Sequence, residues 1–239
     1  MKQKALGQNF LIHKGFIEKI VQLSDDSYSV IVEIGPGQGA LTSGLYRKPA
    51  KLILLEKDDS LIKNLQQQFP KAEIILGDAC ETLKHTPKES LLISNLPYST
   101  GTAILLSALE HQNFPKMILM FQKEVAERIS ARVGNADRGS LSVIAQNYYD
   151  IERSYILPPE AFFPKPKIYS QVLIFKKKIQ PDFSMNFSKL TQHLKHIFMH
   201  PRKMLGKRFS QFSLIQKKRP HELSVEELKM MLSHDTKET

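Results

Sequence analysis

The stretch EIGPGQG, residues 33–39, decides the fold of this chain. It completes an apolar run at residues 30–34 and precedes residues 41–47, whose apolar positions predict a helix. Glycines in such a loop let the backbone turn tightly and come close to a bound molecule. The stretch therefore predicts the first strand–loop–helix unit of an α/β domain, with a ligand at the loop.

The first 175 residues repeat this alternation of strand and helix. Their short, unbroken apolar runs are typical of strands buried on both faces of a parallel sheet. The predicted strands are residues 30–34, 52–56, 73–76, 91–94 and 117–121, and the predicted helices are residues 41–47, 60–69, 102–111 and 123–132. This alternation predicts a doubly wound, Rossmann-like α/β domain.

After residue 148, the alternation of predicted strands and helices stops. Residues 151–156 and 170–175 are predicted strands, joined by the Pro-rich segment LPPEAFFPKPK at residues 157–167. We expect them to form an antiparallel hairpin at one edge of the sheet.

The charged run KKKIQPD, residues 176–182, marks a domain boundary. Beyond it, residues 187–198 and 224–233 are predicted helices, and Ser224 and Glu227 have the spacing of a capping box. We therefore predict an α/β domain at residues 1–178 and a small, basic helical domain at residues 179–239.

The positive charge of the chain is unevenly placed. The net charge is +10, and residues 176–239 carry +8 of it, from 14 Lys and Arg against six Asp and Glu (14 − 6 = 8). Such an excess favours a polyanionic partner such as nucleic acid. On charge alone, a solvated basic tail fits equally well.

Composition indicates an ordinary globular protein, with 41% hydrophobic residues. No apolar run is long enough to cross a bilayer, and the first ten residues lack the apolar core of a secretory signal. Cys80 is the only cysteine, so an intrachain disulfide is excluded. We expect a cytoplasmic protein without a membrane partner.

The glycine loop favours a cofactor without phosphates. Its spacing is G-x-G-x-G, with Gly35 and Gly37 at the turn, and Pro36 removes a backbone donor that a pyrophosphate would use. S-adenosylmethionine fits this loop better than a dinucleotide. Taken alone, a glycine-rich turn is weak evidence, because many strand-to-helix turns need glycine for their shape.

Two further strand ends carry groups suited to an adenosyl ligand. Glu56 ends the second strand, where a carboxylate can accept hydrogen bonds from a ribose diol. After the third strand, Asp78 can accept from an adenine amino group and Ala79 can present its backbone N–H to the ring. Taken alone, Asp78 is better explained as a turn residue or a helix N-cap, but three such features at successive strand ends favour the cofactor.

The fourth strand leads into Asn95-Leu96-Pro97-Tyr98, which we predict to be catalytic. The lone pair of an adenine amino nitrogen is delocalised into the ring, so acceptors on its two hydrogens are needed to aim it at a methyl carbon. The side-chain oxygen of Asn95 and the carbonyl of Leu96 are suited to this task. Pro97 stiffens the loop, and Tyr98 can stack on a flipped base.

Further aromatic side chains that could stack on a base lie in FFPKPK, residues 162–167. Two phenylalanines in a Pro-stiffened loop are costly to expose, so each is expected to bury in the core or to stack on a ligand. We predict that Phe162 stacks on the substrate base and that Phe163 is buried. Lys165 and Lys167 are predicted to hold RNA phosphates.

These motifs together resemble the rRNA adenine dimethyltransferase family over nearly the whole chain. QNFL at residues 8–11 is similar to the family's opening motif, which implies that Asn9 and Leu11 contact the cofactor, as Asn95 does. EIGPGQGALT, LLEKD, GDA, NLPY and FFPKPKIYS follow in family order. The resemblance implies a class I S-adenosylmethionine methyltransferase fold.

Within the family, three segments resemble the KsgA subfamily: MFQKEVAER, LSV and RKMLGKR. This implies dimethylation of two adjacent adenosines in the 3′-terminal hairpin loop of small-subunit rRNA, on the immature small ribosomal subunit. It also implies that the helical domain contacts RNA. The predicted contacts there are Arg202, Lys203, Lys207 and Arg208.

Three alternatives remain open at this stage. The chain could be an Erm-like enzyme that modifies large-subunit rRNA, a DNA adenine methyltransferase, or a ribosome-assembly factor that binds RNA without catalysis. We expect a monomer. We also expect no metal site, because His193, His196 and His200 recur at helical spacing without cysteine or acidic partners.

Overall fold

The computed structural model describes residues 9–209 and 211–235. Within them, nine strands are formed: β1 Phe10–Leu11, β2 Val30–Ile34, β3 Lys51–Glu56, β4 Glu73–Leu76, β5 Leu91–Asn95, β6 Lys116–Gln122, β7 Tyr149–Leu157, β8 Phe162–Phe163 and β9 Ser170–Lys177. The same residues form nine α-helices: α1 Lys14–Gln22, α2 Thr42–Leu45, α3 Asp59–Gln68, α4 Ala79–Thr82, α5 Gly101–His111, α6 Lys123–Ile129, α7 Ser140–Tyr148, α8 Phe187–Ile197 and α9 Val225–Asp235.

Seven of these strands form one sheet in the order β4-β3-β2-β5-β6-β9-β7. The strands from β4 to β6 pair in parallel, and β9 pairs antiparallel with β6. The chain moves outward from β2 through β3 to β4, then returns through β5 to β6. This reversal at the β2–β5 boundary is the doubly wound arrangement, and ligands bind at the carboxyl ends of the strands there. The predicted α/β fold is confirmed.

The predicted strands match the observed ones to within two residues at each end. The side chains of β2, β3, β5 and β6 are buried almost throughout, and Val32, Leu54, Leu92 and Leu119 are fully inaccessible. Burial on both faces explains why these strands are unbroken apolar runs and not alternating ones.

The two strands predicted for the sheet edge are neighbours there, since β9 and β7 lie side by side at the end of the sheet. Five of these elements were not predicted, namely α1, α4, α7, β1 and β8. Helix α1 and helix α7 have mixed apolar patterns, and β1 pairs antiparallel with β8 over only two residues. A pairing of that length depends on tertiary contacts, so periodicity does not reveal it.

Helix α9 begins as predicted. The backbone N–H of Glu227 donates to the Ser224 hydroxyl at 3.1 Å, and the backbone N–H of Ser224 donates to the Glu227 carboxylate at 2.8 Å. This reciprocal pair is a capping box. In the described part of the chain, no helix has both the length and the apolar character needed to cross a membrane.

The chain divides into two compact units. The first unit runs to Ala126 and includes Ile151–Lys177, while the second combines Glu127–Asp150 with the chain from Lys178 onward. The sequence predicted a single division near residue 178, and that division is one of three. The difference arises inside the second unit, where α7 packs against α8.

A buried arginine holds the two segments of the second unit together. The Arg138 guanidinium donates to the carbonyls of Leu223 at 2.9 Å and His221 at 3.3 Å. Burial lowers the pKa of Arg138 to about 10, and the group remains charged at neutral pH. The helical unit therefore cannot be removed by truncation near residue 178 without exposing the surface of α7 and these buried groups.

Candidate active site

A cavity of about 780 Å³ opens in the first unit at the carboxyl ends of β2, β3, β4 and β5. Its volume is in the range typical of cofactor sites. All eight residues predicted to bind the cofactor line this cavity, and so do residues 96–98. The structure thus brings five separate motifs to one place, four of them at the carboxyl edge of the parallel strands.

The glycine loop supplies the floor of the cavity. Gly35 and Gly37 have φ angles of 61° and 57°, in the left-handed region that favours glycine. A Cβ atom on Gly37 would lie 3.0 Å from the Phe10 ring. Gly37 therefore lets the loop turn and lets Phe10 pack directly on its backbone.

Glu56 ties this loop to the end of β3. One of its carboxylate oxygens accepts from the Gly37 N–H at 3.2 Å, and the other accepts from the N–H groups of Lys57 and Asp58 at 2.8 and 2.9 Å. The side chain is buried. Since a carboxylate has about four acceptor positions, the oxygen facing Gly37 keeps one for a ligand hydroxyl.

Asp78 is the N-cap of α4 as well as a cavity residue. One carboxylate oxygen accepts from the Cys80 N–H at 2.9 Å, and the other pairs with the Lys57 ammonium at 2.7 Å. The Lys57 hydrogen bond, followed by the Cys80 N–H, lowers the pKa of Asp78. Ala79 is the first residue of α4, where N–H groups have no partner within the helix. The N-cap interpretation of Asp78 is correct and compatible with the cofactor interpretation.

The loop predicted to be catalytic, residues 95–98, is held in place through the Asn95 side-chain amide. Its NH₂ group donates to the backbone carbonyl of Asn9 at 3.1 Å. This fixes the orientation of the amide and leaves its oxygen for another donor. Among the described residues, none donates a hydrogen bond to the carbonyl of Leu96. The two acceptors that the sequence analysis assigned to the target amino group are therefore both available.

The aromatic residue of the loop is anchored on β9. The Tyr98 hydroxyl and the Ser170 hydroxyl lie 2.7 Å apart in a hydrogen bond. Burial raises the pKa of Tyr98, so the phenol stays neutral. Tyr98 thus presents an uncharged, positioned ring at the cavity wall, as base stacking requires.

Gly101 explains why the helix after the loop can lie so close to it. It is the first residue of α5, and its N–H donates to the Pro97 carbonyl at 2.9 Å. A Cβ atom there would come within 3.3 Å of the Leu96 side chain. This packing was not predicted from the sequence, because glycine at a helix start is ordinarily a weak feature.

The prediction for the phenylalanine pair is reversed in the structure. Phe162 is 2% exposed and packs in the core with Leu11, whereas Phe163 is 67% exposed. Stacking of Phe162 on a substrate base would require its ring to leave the core. The reason is the strand itself: successive side chains point to opposite faces, and the face that carries Phe162 is the buried one. Lys165 and Lys167 are exposed, and Lys165 pairs with Glu160.

One buried carboxyl group in the cavity wall was missed by the sequence analysis. Glu33 is 2% exposed, and burial, with a smaller contribution from the charge of Glu56, raises its pKa to about 8. The Thr42 hydroxyl donates to it at 2.7 Å. Glu33 could have been recognised from its position inside the apolar run of β2. A glutamate is seldom buried unless its carboxyl group has a partner or a function.

The four residues predicted to contact RNA in the helical domain at residues 179–239 divide into two groups. Arg202 and Lys203 are exposed. Lys207 and Arg208 follow in the short 3₁₀ turn Gly206–Phe209, and their side chains lie outside the described part of the structure. Over the residues described, no group of three or more His, Cys, Asp and Glu side chains is arranged to hold a metal.

The fold and the cavity define a class of protein. A doubly wound sheet carries three features around one cavity. They are a G-x-G-x-G loop, a buried glutamate at the end of β3, and an Asn-Leu-Pro-Tyr loop after β5. This is the arrangement of a Rossmann-like enzyme whose ligand site lies at the carboxyl ends of the parallel strands.

Comparison with known proteins identifies the family. The sequence profile of the ribosomal RNA adenine dimethylase family matches residues 1–234. A curated relative, the ribosomal RNA small subunit methyltransferase A of Wolbachia pipientis subsp. Culex pipiens (strain wPip), is 40% identical over 212 residues, which cover 85% of this chain and 80% of the relative. The chain belongs to the ribosomal RNA adenine dimethylase family and is an rRNA adenine dimethyltransferase.

Two solved structures share the fold. A dimethyladenosine transferase from Plasmodium falciparum superposes with a TM-score of 0.83 at 23% identity, covering 96% of this chain and 98% of that one. The 23S rRNA methyltransferase ErmE superposes with a TM-score of 0.68 at 20% identity, covering 94% and 100%.

Proposed function

We propose that this enzyme uses S-adenosylmethionine to dimethylate N6 of two adjacent adenosines in the 3′-terminal hairpin loop of small-subunit rRNA. The observation that carries the chemistry is the fixed Asn95 amide beside the unengaged Leu96 carbonyl. The small-subunit target is supported by the name of the 40% identical relative. We further propose that the enzyme acts as a monomer on the immature subunit in the cytoplasm.

The residues of the cavity fit the cofactor. The free acceptor position of Glu56 suits a ribose hydroxyl, and the charged Asp78 suits an adenine amino group. The segment containing Asn9 and Leu11 borders the same space. When bound, S-adenosylmethionine supplies a methyl group activated by its sulfonium. The apolar walls exclude water from the reacting atoms.

The Asn95-Leu96-Pro97-Tyr98 loop prepares the nucleophile. Loop adenosines are cheaper to extrude than paired ones, and Tyr98 stacks on the extruded base. The Asn95 oxygen and the Leu96 carbonyl each accept one hydrogen of the amino group, so its lone pair turns away from the ring and toward the methyl carbon. No strong base is needed, since the nitrogen loses its proton readily once it is methylated. Catalysis is therefore mainly positioning.

The assay that tests this function measures methyl transfer from labelled S-adenosylmethionine to ribosomal subunits lacking the modification. We expect label in small subunits and background counts in large subunits and in DNA. Label in large subunits would assign the enzyme to the Erm-like alternative. Cofactor binding without transfer to any of the three would indicate an assembly factor that only binds.

The basic helical unit is proposed to contact RNA phosphates. Replacing both Arg202 and Lys203 with alanine is expected to weaken RNA binding and to reduce the slope of log K against log salt by about 2, since each phosphate contact contributes about 1. Cofactor affinity should not change. The control is Lys51→Ala, which removes an exposed lysine already paired with Glu73. An unchanged slope in the double variant would contradict this role.

A further inference from the structure

The exposed phenylalanine at the edge of the cavity has no role in the mechanism described so far. Phe163 is 67% exposed, although an aromatic ring of this size is costly to leave in water. It lies in β8, which pairs with β1 in the register Phe10 to Phe163 and Leu11 to Phe162. Strand pairing holds the backbone of Phe163 in place, and its exposed ring is therefore available to stack on a ligand.

The register places Phe163 beside the cavity. Residues directly opposite each other in an antiparallel pair have their side chains on the same face. Phe10 lines the cavity and packs on Gly37, and Phe163 is paired directly with it on the same face of this small sheet. Among the described residues that line the cavity, Phe10 is included and Phe163 is not. Phe163 therefore lies at the rim, just outside the space that would hold the target base.

The segment that carries Phe163 is fixed to the catalytic loop at both ends. At one end, β8 pairs with β1, next to the Asn9 carbonyl that accepts from Asn95. At the other end, Ser170 is hydrogen-bonded to Tyr98. The two anchor points of this segment therefore lie next to the Asn95 amide and the Tyr98 hydroxyl. A ligand bound to this segment is thus positioned relative to the reacting atoms.

The segment has the chemistry of a single-stranded RNA surface. Residues 161–169 contain two lysines and no acidic residue, and Lys167 and Tyr169 are both exposed. Exposed rings interleaved with cations bind unpaired nucleotides through stacking and phosphate contacts.

We propose that Phe163 stacks on the unpaired nucleotide next to the target adenosine, outside the cavity, while Tyr98 stacks on the target itself. This inference rests on the proposed RNA substrate. It assigns a binding role to a residue that the sequence analysis had expected to be buried. It also gives the enzyme a means to hold the neighbouring nucleotide of a two-adenosine target while the first is in the cavity.

The test compares Phe163→Leu with Phe163→Tyr in methyl transfer to small subunits lacking the modification. Loss of the ring is expected to raise KM about tenfold, the scale of one base–aromatic stack, with little change in kcat. The tyrosine variant should recover the KM of the original enzyme. Affinity for S-adenosylmethionine should be the same in all three, because Phe163 does not line the cavity.

The matched control is Ile156→Ala, which removes another exposed apolar side chain of the first unit. If Phe163→Leu has the KM of this control, or if the tyrosine variant is no better than the leucine variant, the stacking proposal is wrong and the methyltransferase assignment stands. If the unsubstituted enzyme transfers no methyl group to RNA, the proposed function fails, and the stacking proposal fails with it.

Discussion

Replacing Asn95 with alanine is expected to abolish methyl transfer, with kcat lower by about 1,000-fold or more, the scale seen when one preorganised polar group is removed from an active site. The variant loses the oxygen that would accept from the target amino group. It also loses the hydrogen bond to the Asn9 carbonyl, so the β1 segment is less well fixed. Single-turnover transfer from labelled S-adenosylmethionine measures the effect.

Binding measurements separate this catalytic loss from a folding defect. RNA affinity should stay within about threefold, because most RNA affinity comes from phosphate contacts outside the cavity. Cofactor affinity should fall much less than kcat. Asn64→Ala is the matched control, since Asn64 is exposed on α3 and bonds only Gln68 among the described side chains. Transfer by the Asn95 variant within tenfold of the original rate would remove Asn95 from the catalytic assignment.

The second large effect concerns stability and the buried carboxyl group of Glu33. Its native pKa of about 8 lies above the ordinary value of 4.5, because burial disfavours the charged form. Between these two values the native chain keeps a proton that the unfolded chain has lost, so stability falls as pH rises through this window. The difference between 4.5 and about 8, at about 1.4 kcal/mol per pKa unit, corresponds to about 4–5 kcal/mol of stability lost by pH 8.

Glu33→Gln is expected to remove this dependence. The glutamine is neutral at every pH and can still accept the Thr42 hydroxyl through its amide oxygen. Urea unfolding of both proteins at about pH 5 and pH 8.5 should show that the variant gains stability relative to the original protein as pH rises. Glu73→Gln, at an exposed carboxylate paired with Lys51, should show no such gain. Parallel pH profiles for the original protein and the Glu33 variant would contradict a buried neutral carboxyl.

The sheet could be predicted from the sequence because its strands are local features. Val30–Ile34 and Glu73–Leu76 are bounded by loops with clear turn residues, and both were placed without error. The four motifs at the strand ends could be gathered into one site by the same logic, since parallel strands bring their carboxyl ends to one edge.

What the sequence did not reveal depends on contacts between distant residues. The direction of Phe162 and Phe163 is set by the two-residue pairing of β8 with β1, and a one-residue change of register exchanges the two faces. The membership of residues 127–150 in the second unit depends on Arg138 reaching two carbonyls more than 80 positions away. No periodic pattern in the sequence indicates either the register of β8 with β1 or the contacts of Arg138.

The most direct test of the central claim is to identify the product and its position in rRNA. Small subunits lacking the modification are incubated with the enzyme and S-adenosylmethionine, and the rRNA is digested and analysed by mass spectrometry. We expect N6,N6-dimethyladenosine at two adjacent loop positions near the 3′ end, and none with Asn95→Ala. Methylated adenine only in large-subunit rRNA, or no methylated adenine despite cofactor binding, would contradict the account.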